Sequence, residues 1–352
     1  MTPTFGIFDH IEDLPGTPTH RLLRDRLNLV KMADEAGFAG FHLAEHHGTD
    51  LCMSPNQDAF IGAASQVSTK IRLGPLVKLL PLHHPVRIVE DMCVLDQLTG
   101  GRLDFGVGRG LVPIEHYWFG GNWRDSRNRF TDTLGIICDA LATGEISSAN
   151  SAFHDFPTVP LLTKPLQQPI PFWYPGNPVT AGRHGMNLMW PAPIDQASYN
   201  VYAEAWHKHK GDTIRVDGPD STPRVGCVLL IAIAPTERKA REIARRGIDG
   251  LTRRTLDNHR FDRLVLPPDE VDAVLEPLRA NVLSYAKDTA TAFAGTPDQV
   301  TERLAAVLEQ GLTDYIVFQI PVGDMTFAEA KQTIELFVTE VKPQLEKAAL
   351  AV

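Results

Sequence analysis

The sequence lacks both a long apolar segment and an excess of basic residues. Its longest uncharged apolar stretch, residues 225–234, falls well short of the ~20 residues of a membrane-spanning helix, so we interpret it as a buried strand. The 34 lysines and arginines are outnumbered by 43 aspartates and glutamates, which leaves a formal charge of −9. Because nucleic acids and anionic membranes bind basic surfaces, this balance disfavours both as partners.

Cysteine is scarce, and a secretory signal is absent from the start of the chain. Cys52, Cys93, Cys138 and Cys227 form no CxxC pair, and we interpret them as reduced thiols in the core. The first residues, MTPTFGIFDHIED, have no basic segment and carry acidic residues early. Both features predict a cytoplasmic protein.

Short apolar segments alternate with helical patterns along most of the 352 residues. The predicted strands are residues 5–8, 40–44, 71–80, 103–107, 171–175, 186–190, 225–233 and 313–320. No glycine- or serine-rich linker divides the chain. This alternation predicts an α/β fold in which residues 1–352 form a single (β/α)8 TIM barrel with insertions, and a doubly wound sheet is the alternative.

Some segments depart from the regular alternation of strands and helices or carry helix signals of their own. Residues 144–169 are polar and proline-rich and predict a hairpin outside the barrel, whereas residues 249–289 match no barrel unit. An excursion of this length is often functional, so 249–289 is a candidate lid insertion, with surface decoration as the alternative. A basic helix is predicted over 236–246. Before the helix that follows the second strand, Ser54-Pro55-Asn56-Gln57 predicts a serine cap and a capping box.

Polar or glycine-rich clusters follow four successive strands, where a barrel carries its active site. They are EHH at 45–47, HH at 83–84, GRG at 108–110 and GNPVT at 176–180. Glycines allow close approach of backbone to a ligand, and arginine binds phosphate through two parallel hydrogen bonds. The GRG and GNPVT turns together predict a phosphate clamp.

The segment from His42 to His46 matches HxxEH, a motif of zinc hydrolases. That motif needs a helix to bring both histidines to one face, and here it straddles the end of a predicted strand. No third ligand is evident downstream, so we expect no metal, and a zinc hydrolase is the remote alternative.

Taken in order, these segments resemble the bacterial luciferase-like flavin monooxygenases over nearly the whole chain. The most specific stretches are LPLHHPVRIVEDMCVLDQLTGGRLDFGVGRGL and FHDFPTVPLLTKPLQQPIPFWYPGNP. The AEHH sequence after the second strand resembles the branch that includes the luciferase alpha chain.

The resemblance implies reduced FMN as the cofactor, with particular residues around it. His46 matches the catalytic histidine, beside carbon 4a of the flavin, where it would act in proton transfer. Leu76 and Val77 match a strained non-proline cis peptide against the ring, and Arg109 matches the phosphate-binding arginine. The remaining cofactor residues by this resemblance are Glu45, Gly176, Asn177 and Thr180.

The resemblance also implies a reaction and partners. A separate flavin reductase would supply reduced FMN, oxygen would form a flavin hydroperoxide, and this would oxidise a small aldehyde-like or other apolar substrate. A homodimer is implied in the same way. A deazaflavin-dependent hydride-transfer enzyme on the same barrel, or a non-catalytic flavin-binding subunit, are the alternatives.

Two departures from the family pattern bear on these expectations. Gly108 stands where luciferase has a reactive cysteine, which weakens any inference to light emission. Gly176 and Asn177 replace an acid and a serine in the phosphate loop, and the helix after Thr180 is short.

Overall fold

The computed structural model describes residues 3–289 and 293–350. Within them the strands are β1 (Thr4–Asp9), β2 (Gly40–Leu43), β3 (Arg72–Pro75), β4 (Lys78–Leu79), β5 (Phe105–Gly108), β6 (Glu145–Ile146), β7 (Val159–Pro160), β8 (Phe172–Tyr174), β9 (Asn187–Trp190), β10 (Val225–Ile233), β11 (Phe293–Gly295) and β12 (Tyr315–Gln319). The helices are α1 (Thr19–Glu35), α2 (Gln57–Ser65), α3 (Pro85–Thr99), α4 (Pro113–Trp118), α5 (Ser126–Thr143), α6 (Pro178–Arg183), α7 (Gln196–Lys208), α8 (Glu237–Asn258), α9 (Val271–Thr289), α10 (Pro297–Glu309), α11 (Phe327–Leu336) and α12 (Lys342–Leu350). A π-helical turn, Phe337–Val341, joins α11 to α12.

Parallel strands in the order β3-β2-β1-β12-β10-β9-β8-β5-β4 form the barrel. Leu73 in β3 donates its N–H to Arg102 O at 2.9 Å and accepts from Asp104 N at 2.9 Å, which links β3 to the chain just before β5. Because β3 and β4 lie end to end, these strands occupy eight positions around the barrel. The predicted (β/α)8 barrel is therefore confirmed.

The predicted strand at 71–80 is interrupted, because the peptide bond between Leu76 and Val77 is cis. The chain before it pairs with β2 and the chain after it pairs with β5. The resemblance implied a cis peptide between Leu76 and Val77, so that expectation is confirmed, whereas the prediction of one continuous strand over 71–80 is wrong.

The predicted capping box at residues 54–57 is also wrong. Helix α2 begins at Gln57, and its cap is Asn56, whose side chain accepts from Ala59 N. Gln57 is 1 % exposed, and its side-chain amide donates to the carbonyls of Leu43 at 2.7 Å and Val77 at 3.1 Å. The side chain is thus used to join strand ends and is not available to cap the helix.

Helix α8 runs twelve residues beyond its predicted end at 246. Gly247 and Gly250 lie in this extension, where a Cβ at Gly247 would be 3.0 Å from Val322 O and one at Gly250 would be 2.8 Å from Asp324 N. These glycines allow the 322–324 loop to pack on the helix. The predicted insertion at 249–289 therefore begins inside α8, continues as a 3-10 helix, His259–Leu264, and ends with α9.

Two further predictions from the sequence are confirmed, a hairpin and four unpaired cysteines in the core. Strands β6 and β7 form the antiparallel hairpin expected within 144–169. All four cysteines are unpaired and buried. In the part of the chain that the structure describes, no helix combines the length and apolarity needed to cross a membrane.

Candidate active site

A cavity of about 1080 Å³ opens at the carboxyl ends of the barrel strands. It is lined by every residue that the sequence assigned to the site, namely Glu45, His46, Leu76, Val77, Arg109, Gly176, Asn177 and Thr180. A barrel gathers the carboxyl ends of its strands on one face. Three of the four predicted strand-end clusters, EHH, GRG and GNPVT, accordingly contribute residues to the cavity wall.

One wall of the cavity is formed by the cis peptide of Leu76 and Val77 together with Gly108. A Cβ at Gly108 would lie 2.3 Å from Val77 Cγ2, so any larger residue would have to push Val77 aside. The departure noted at Gly108 therefore has a structural consequence, since it allows β5 to lie close behind the cis peptide.

His46 lies at the same end of the cavity and is held through one ring nitrogen. Its Nδ1 lies 3.3 Å from Glu115 Oε1 and 3.3 Å from Asn258 Nδ2. The ring also stacks on His10, with centroids 5.9 Å apart and planes 18° apart. Burial, followed by the nearby His46, lowers the pKa of His10 to about 3, so His10 adds no charge at neutral pH.

Glu45 is engaged with protein groups on both carboxylate oxygens. Its Oε1 accepts from His47 Nε2 at 3.0 Å and His83 Nε2 at 2.5 Å, and its Oε2 accepts from Leu79 N at 2.8 Å. Burial alone would raise the pKa of this carboxyl, but the hydrogen bonds from both histidines hold it well below its usual range. Glu45 thus links the EHH and HH clusters to the strand beside the cavity.

The HxxEH residues do not converge. His42 points into the barrel, where its Nε2 lies 2.8 Å from Tyr315 Oη, and burial lowers its pKa to about 4. His46 faces Glu115 instead. Among the described residues, the only three side chains of this kind close enough to share an ion are Glu45, His47 and His83, and both histidines are hydrogen-bonded to Glu45.

The opposite end of the cavity is positively charged. Arg109 is half-buried, donates from Nη1 to Ser126 Oγ at 2.9 Å, and lies over the ring of Trp123. Arg127 and Arg183 line the same region, and within residues 3–289 and 293–350 none of the three arginines is paired with a carboxylate. Burial, and then the neighbouring Arg127, lower the pKa of Arg109.

The GNPVT turn lies beside these arginines and starts α6. Asn177 Oδ1 accepts from Thr180 N at 3.1 Å. The Asn177 side-chain oxygen and the Thr180 backbone N–H are therefore used in the helix cap and are not free for a ligand. The Asn177 side-chain NH₂ and the Thr180 hydroxyl are the groups that remain to face the cavity. The short helix expected after Thr180 is confirmed, because α6 ends at Arg183.

Several residues at this site were not found from the sequence. Two of them, Glu115 and Asn258, contact His46. The other three, His10, Arg127 and Arg183, line the cavity. Glu115 and Asn258 lie 69 and 212 residues from His46 along the chain. The only signal for Arg127 and Arg183 in the sequence was their positive charge, at positions after the assigned residues Arg109 and Thr180.

Comparison with known proteins places the chain in a family. A model described as luciferase-like monooxygenase matches residues 3–314. The limonene 1,2-monooxygenase of Rhodococcus erythropolis is 27% identical over 97% of this chain and 88% of its own length. The oxygenase component of a flavin-dependent trigonelline monooxygenase from Acinetobacter baylyi is 24% identical over 96% of this chain and 94% of its own.

Solved structures share the fold at lower identity. The oxygenating constituent of 3,6-diketocamphane monooxygenase from Pseudomonas putida, in complex with FMN, superposes with a TM-score of 0.70 at 20% identity and covers 98% of this chain and 99% of its own. The coenzyme F420-dependent tetrahydromethanopterin reductase from Methanopyrus kandleri gives 0.65 at 19% identity, with 98% and 100% covered. These two likenesses establish the barrel fold alone.

Proposed function

The chain belongs to the luciferase-like monooxygenase family, and from this premise we propose that it oxidises a small apolar organic substrate with reduced FMN and molecular oxygen. The observation that carries the proposal is the division of one cavity into two unlike ends. Three arginines without a carboxylate partner among the described residues lie at one end, and His46 with the cis peptide lies at the other. A flavin mononucleotide has the matching division, with a dianionic phosphate at one end and a planar ring at the other.

The phosphate end supports FMN through its donors. Arg109 would bind the phosphate, and its side chain is already oriented by Ser126 and Trp123. The Asn177 NH₂ and the Thr180 hydroxyl would add neutral donors, with Arg127 and Arg183 nearby. Because the whole chain is acidic, this local cluster is what would attract an anion to the cavity.

The ring end supports the chemistry. Leu76 and Val77 would pack against the flavin, and Gly108 leaves the space behind them that this packing needs. When bound, reduced FMN supplies the electrons that activate oxygen. His46 would hold or transfer a proton there through Nε2, since Nδ1 faces the Glu115 carboxylate.

The cavity lining and one relative support a class of substrate and a partner. Phe8 and Leu79 contribute apolar surface to the His46 end, which suits an apolar molecule such as an aldehyde. The trigonelline relative is an oxygenase component, which supports a separate reductase as the source of reduced FMN. We propose that residues 249–289 act as a lid, that the chain acts in the cytoplasm, and that it forms a homodimer.

The alternative is hydride transfer with a deazaflavin, and the fold shared with the F420-dependent reductase favours keeping it. The test is to add reduced FMN and reduced F420 separately to the purified protein with a panel of aldehydes and terpenes. We expect oxygen uptake and substrate oxidation with reduced FMN, and neither with reduced F420. Substrate turnover with F420 under anaerobic conditions would refute the monooxygenase proposal.

A further inference from the structure

His46 is not an isolated histidine, because a buried carboxylate faces its inner ring nitrogen. Glu115 is 1 % exposed, and its Oε1 lies 3.3 Å from His46 Nδ1. The same oxygen accepts from His47 N at 3.0 Å and lies 3.5 Å from Asn258 Nδ2. A buried carboxylate is costly unless donors surround it. These three groups surround Oε1, whereas Oε2 is buried with no hydrogen-bond partner among the described residues.

This arrangement sets the position of the imidazole proton. A carboxylate can only accept and the Asn258 NH₂ can only donate, so the two contacts to Nδ1 require opposite tautomers. The charge-assisted bond to Glu115 is the stronger of the two, and it places the proton on Nδ1 and the lone pair on Nε2. The Asn258 NH₂ then donates to Glu115 Oε1. No described residue is hydrogen-bonded to Nε2, and the ring lines the cavity. A carboxylate behind a histidine also stabilises the charge that forms when the ring takes up a proton. The other group against the ring, His10, stays neutral because burial lowers its pKa to about 3.

Asn258 comes from a distant part of the chain. It is the last residue of α8, it is 4 % exposed, and its Nδ2 reaches both His46 Nδ1 and Glu115 Oε1. The 3-10 helix His259–Leu264 follows directly. The segment that the sequence singled out as a candidate lid therefore reaches the ring of His46.

The same segment also holds the helix that carries Glu115. Asp262 is fully buried, and its Oδ1 accepts from Ile114 N at 2.8 Å in the first turn of α4. Its Oδ2 accepts from His259 Nδ1 at 2.7 Å. Phe261 packs edge-on against Trp118 at the other end of α4, with centroids 5.8 Å apart.

We propose that Glu115 and Asn258 are positioning residues for His46, and that residues 258–262 complete the active site by fixing both the histidine and helix α4. This rests on the proposed function for the reaction that His46 serves, but the proton position on the ring does not depend on which reaction that is. The insertion is accordingly a structural part of the site and more than a cover over it.

The experiment compares Glu115→Gln and Asn258→Ala with the control Leu264→Ala, an exposed residue in the same 3-10 helix. The ¹⁵N chemical shifts of His46, recorded without flavin at pH 8, report which ring nitrogen carries the proton. We expect the Nδ1–H form in the wild type and in Leu264→Ala, and a mixture or the Nε2–H form in Glu115→Gln. The Nε2–H form in the wild type would overturn the proposal, whatever the enzyme oxidises.

Kinetics provide the second readout. Glu115→Gln should lower kcat by about 10- to 100-fold and Asn258→Ala by about 3- to 10-fold, with KM and the Kd for reduced FMN changed less than twofold. A fall in FMN affinity with unchanged kcat would show that these residues only maintain the fold and would refute their positioning role. Circular dichroism checks that each variant folds, and Asn258→Ala keeps the test open if Glu115→Gln does not.

Discussion

The side-chain amide of Gln57 donates to the carbonyl of Val77 at 3.1 Å, directly after the cis peptide that borders the cavity. It also donates to Leu43 O at 2.7 Å, at the end of β2. One buried side chain therefore joins the first turn of α2 to two neighbouring barrel strands. Both strands lead into the candidate active site.

Replacing Gln57 by leucine should destabilise the protein and weaken flavin binding together. The substitution leaves Val77 O without this donor, which costs about 1–3 kcal/mol in the free energy of unfolding. Urea unfolding and fluorescence titration with FMN measure the two effects. Gln66→Leu, at the exposed end of the same helix, is the control and should stay within about 0.5 kcal/mol of the wild type. Unchanged stability and FMN affinity in Gln57→Leu would show that Gln57 does not support the strands beside the cavity.

Gly108→Ala should also weaken FMN binding, because the new Cβ would lie 2.3 Å from Val77 Cγ2 and displace the wall of the cavity. The control is Gly62→Ala in α2, where the nearest atom, Leu98 Cδ1, lies 4.0 Å away. That substitution should stabilise the helix by up to about 1 kcal/mol. Equal FMN affinity in Gly108→Ala and the wild type would show that the wall tolerates the methyl group.

Glu12 should make the stability of the protein depend on pH. Burial, and then the nearby Asp9, raise the pKa of Glu12 to about 8 in the folded chain, against the ordinary value of 4.5. Between these two values the folded state holds a proton that the unfolded state has lost, so the free energy of unfolding falls as pH rises. Glu12→Gln mimics the protonated acid and should remove this slope.

The measurement is the Tm of both proteins at pH 5, 6.5 and 8. The variant should gain on the wild type at each step and exceed it by roughly several degrees at pH 8. Parallel Tm profiles across this range would contradict the buried, protonated state assigned to Glu12.

His46→Ala should retain FMN binding but lose about 100-fold or more of substrate oxidation. The reason is that the proposed function assigns the phosphate to the arginines and gives His46 a proton-transfer role at the ring. Product formation and hydrogen peroxide release are measured together, with the exposed His20→Ala as the control. Wild-type turnover in His46→Ala would show that the proton is handled by another group.

The barrel and most of its cavity wall could be predicted because both depend on local sequence. Buried parallel strands are continuous apolar runs, as in β10, and residues that follow strand ends must meet on one face of a barrel. Every assigned site residue, from Glu45 to Thr180, lines the cavity for this reason.

The contacts that orient these residues could not be predicted. Asn258 meets His46 across 212 residues, at the end of α8 and twelve residues beyond the end that the sequence predicts for this helix. Likewise, Gln57 resembles a capping residue in sequence, and only the neighbouring strands make it a link between Leu43 and Val77. Such roles are set by tertiary partners, which a single sequence does not display.

In the proposed function, the arginine end of the cavity binds the FMN phosphate. Anaerobic calorimetry with reduced FMN and reduced riboflavin, which lacks the phosphate, tests this in the wild type and Arg109→Ala, with Arg87→Ala at the exposed Asp91 ion pair as the control. We predict that Arg109→Ala weakens FMN binding by about 10- to 100-fold and leaves riboflavin binding within twofold. Equal losses of affinity for both flavins, or an unchanged Kd for FMN, would show that Arg109 does not bind the phosphate.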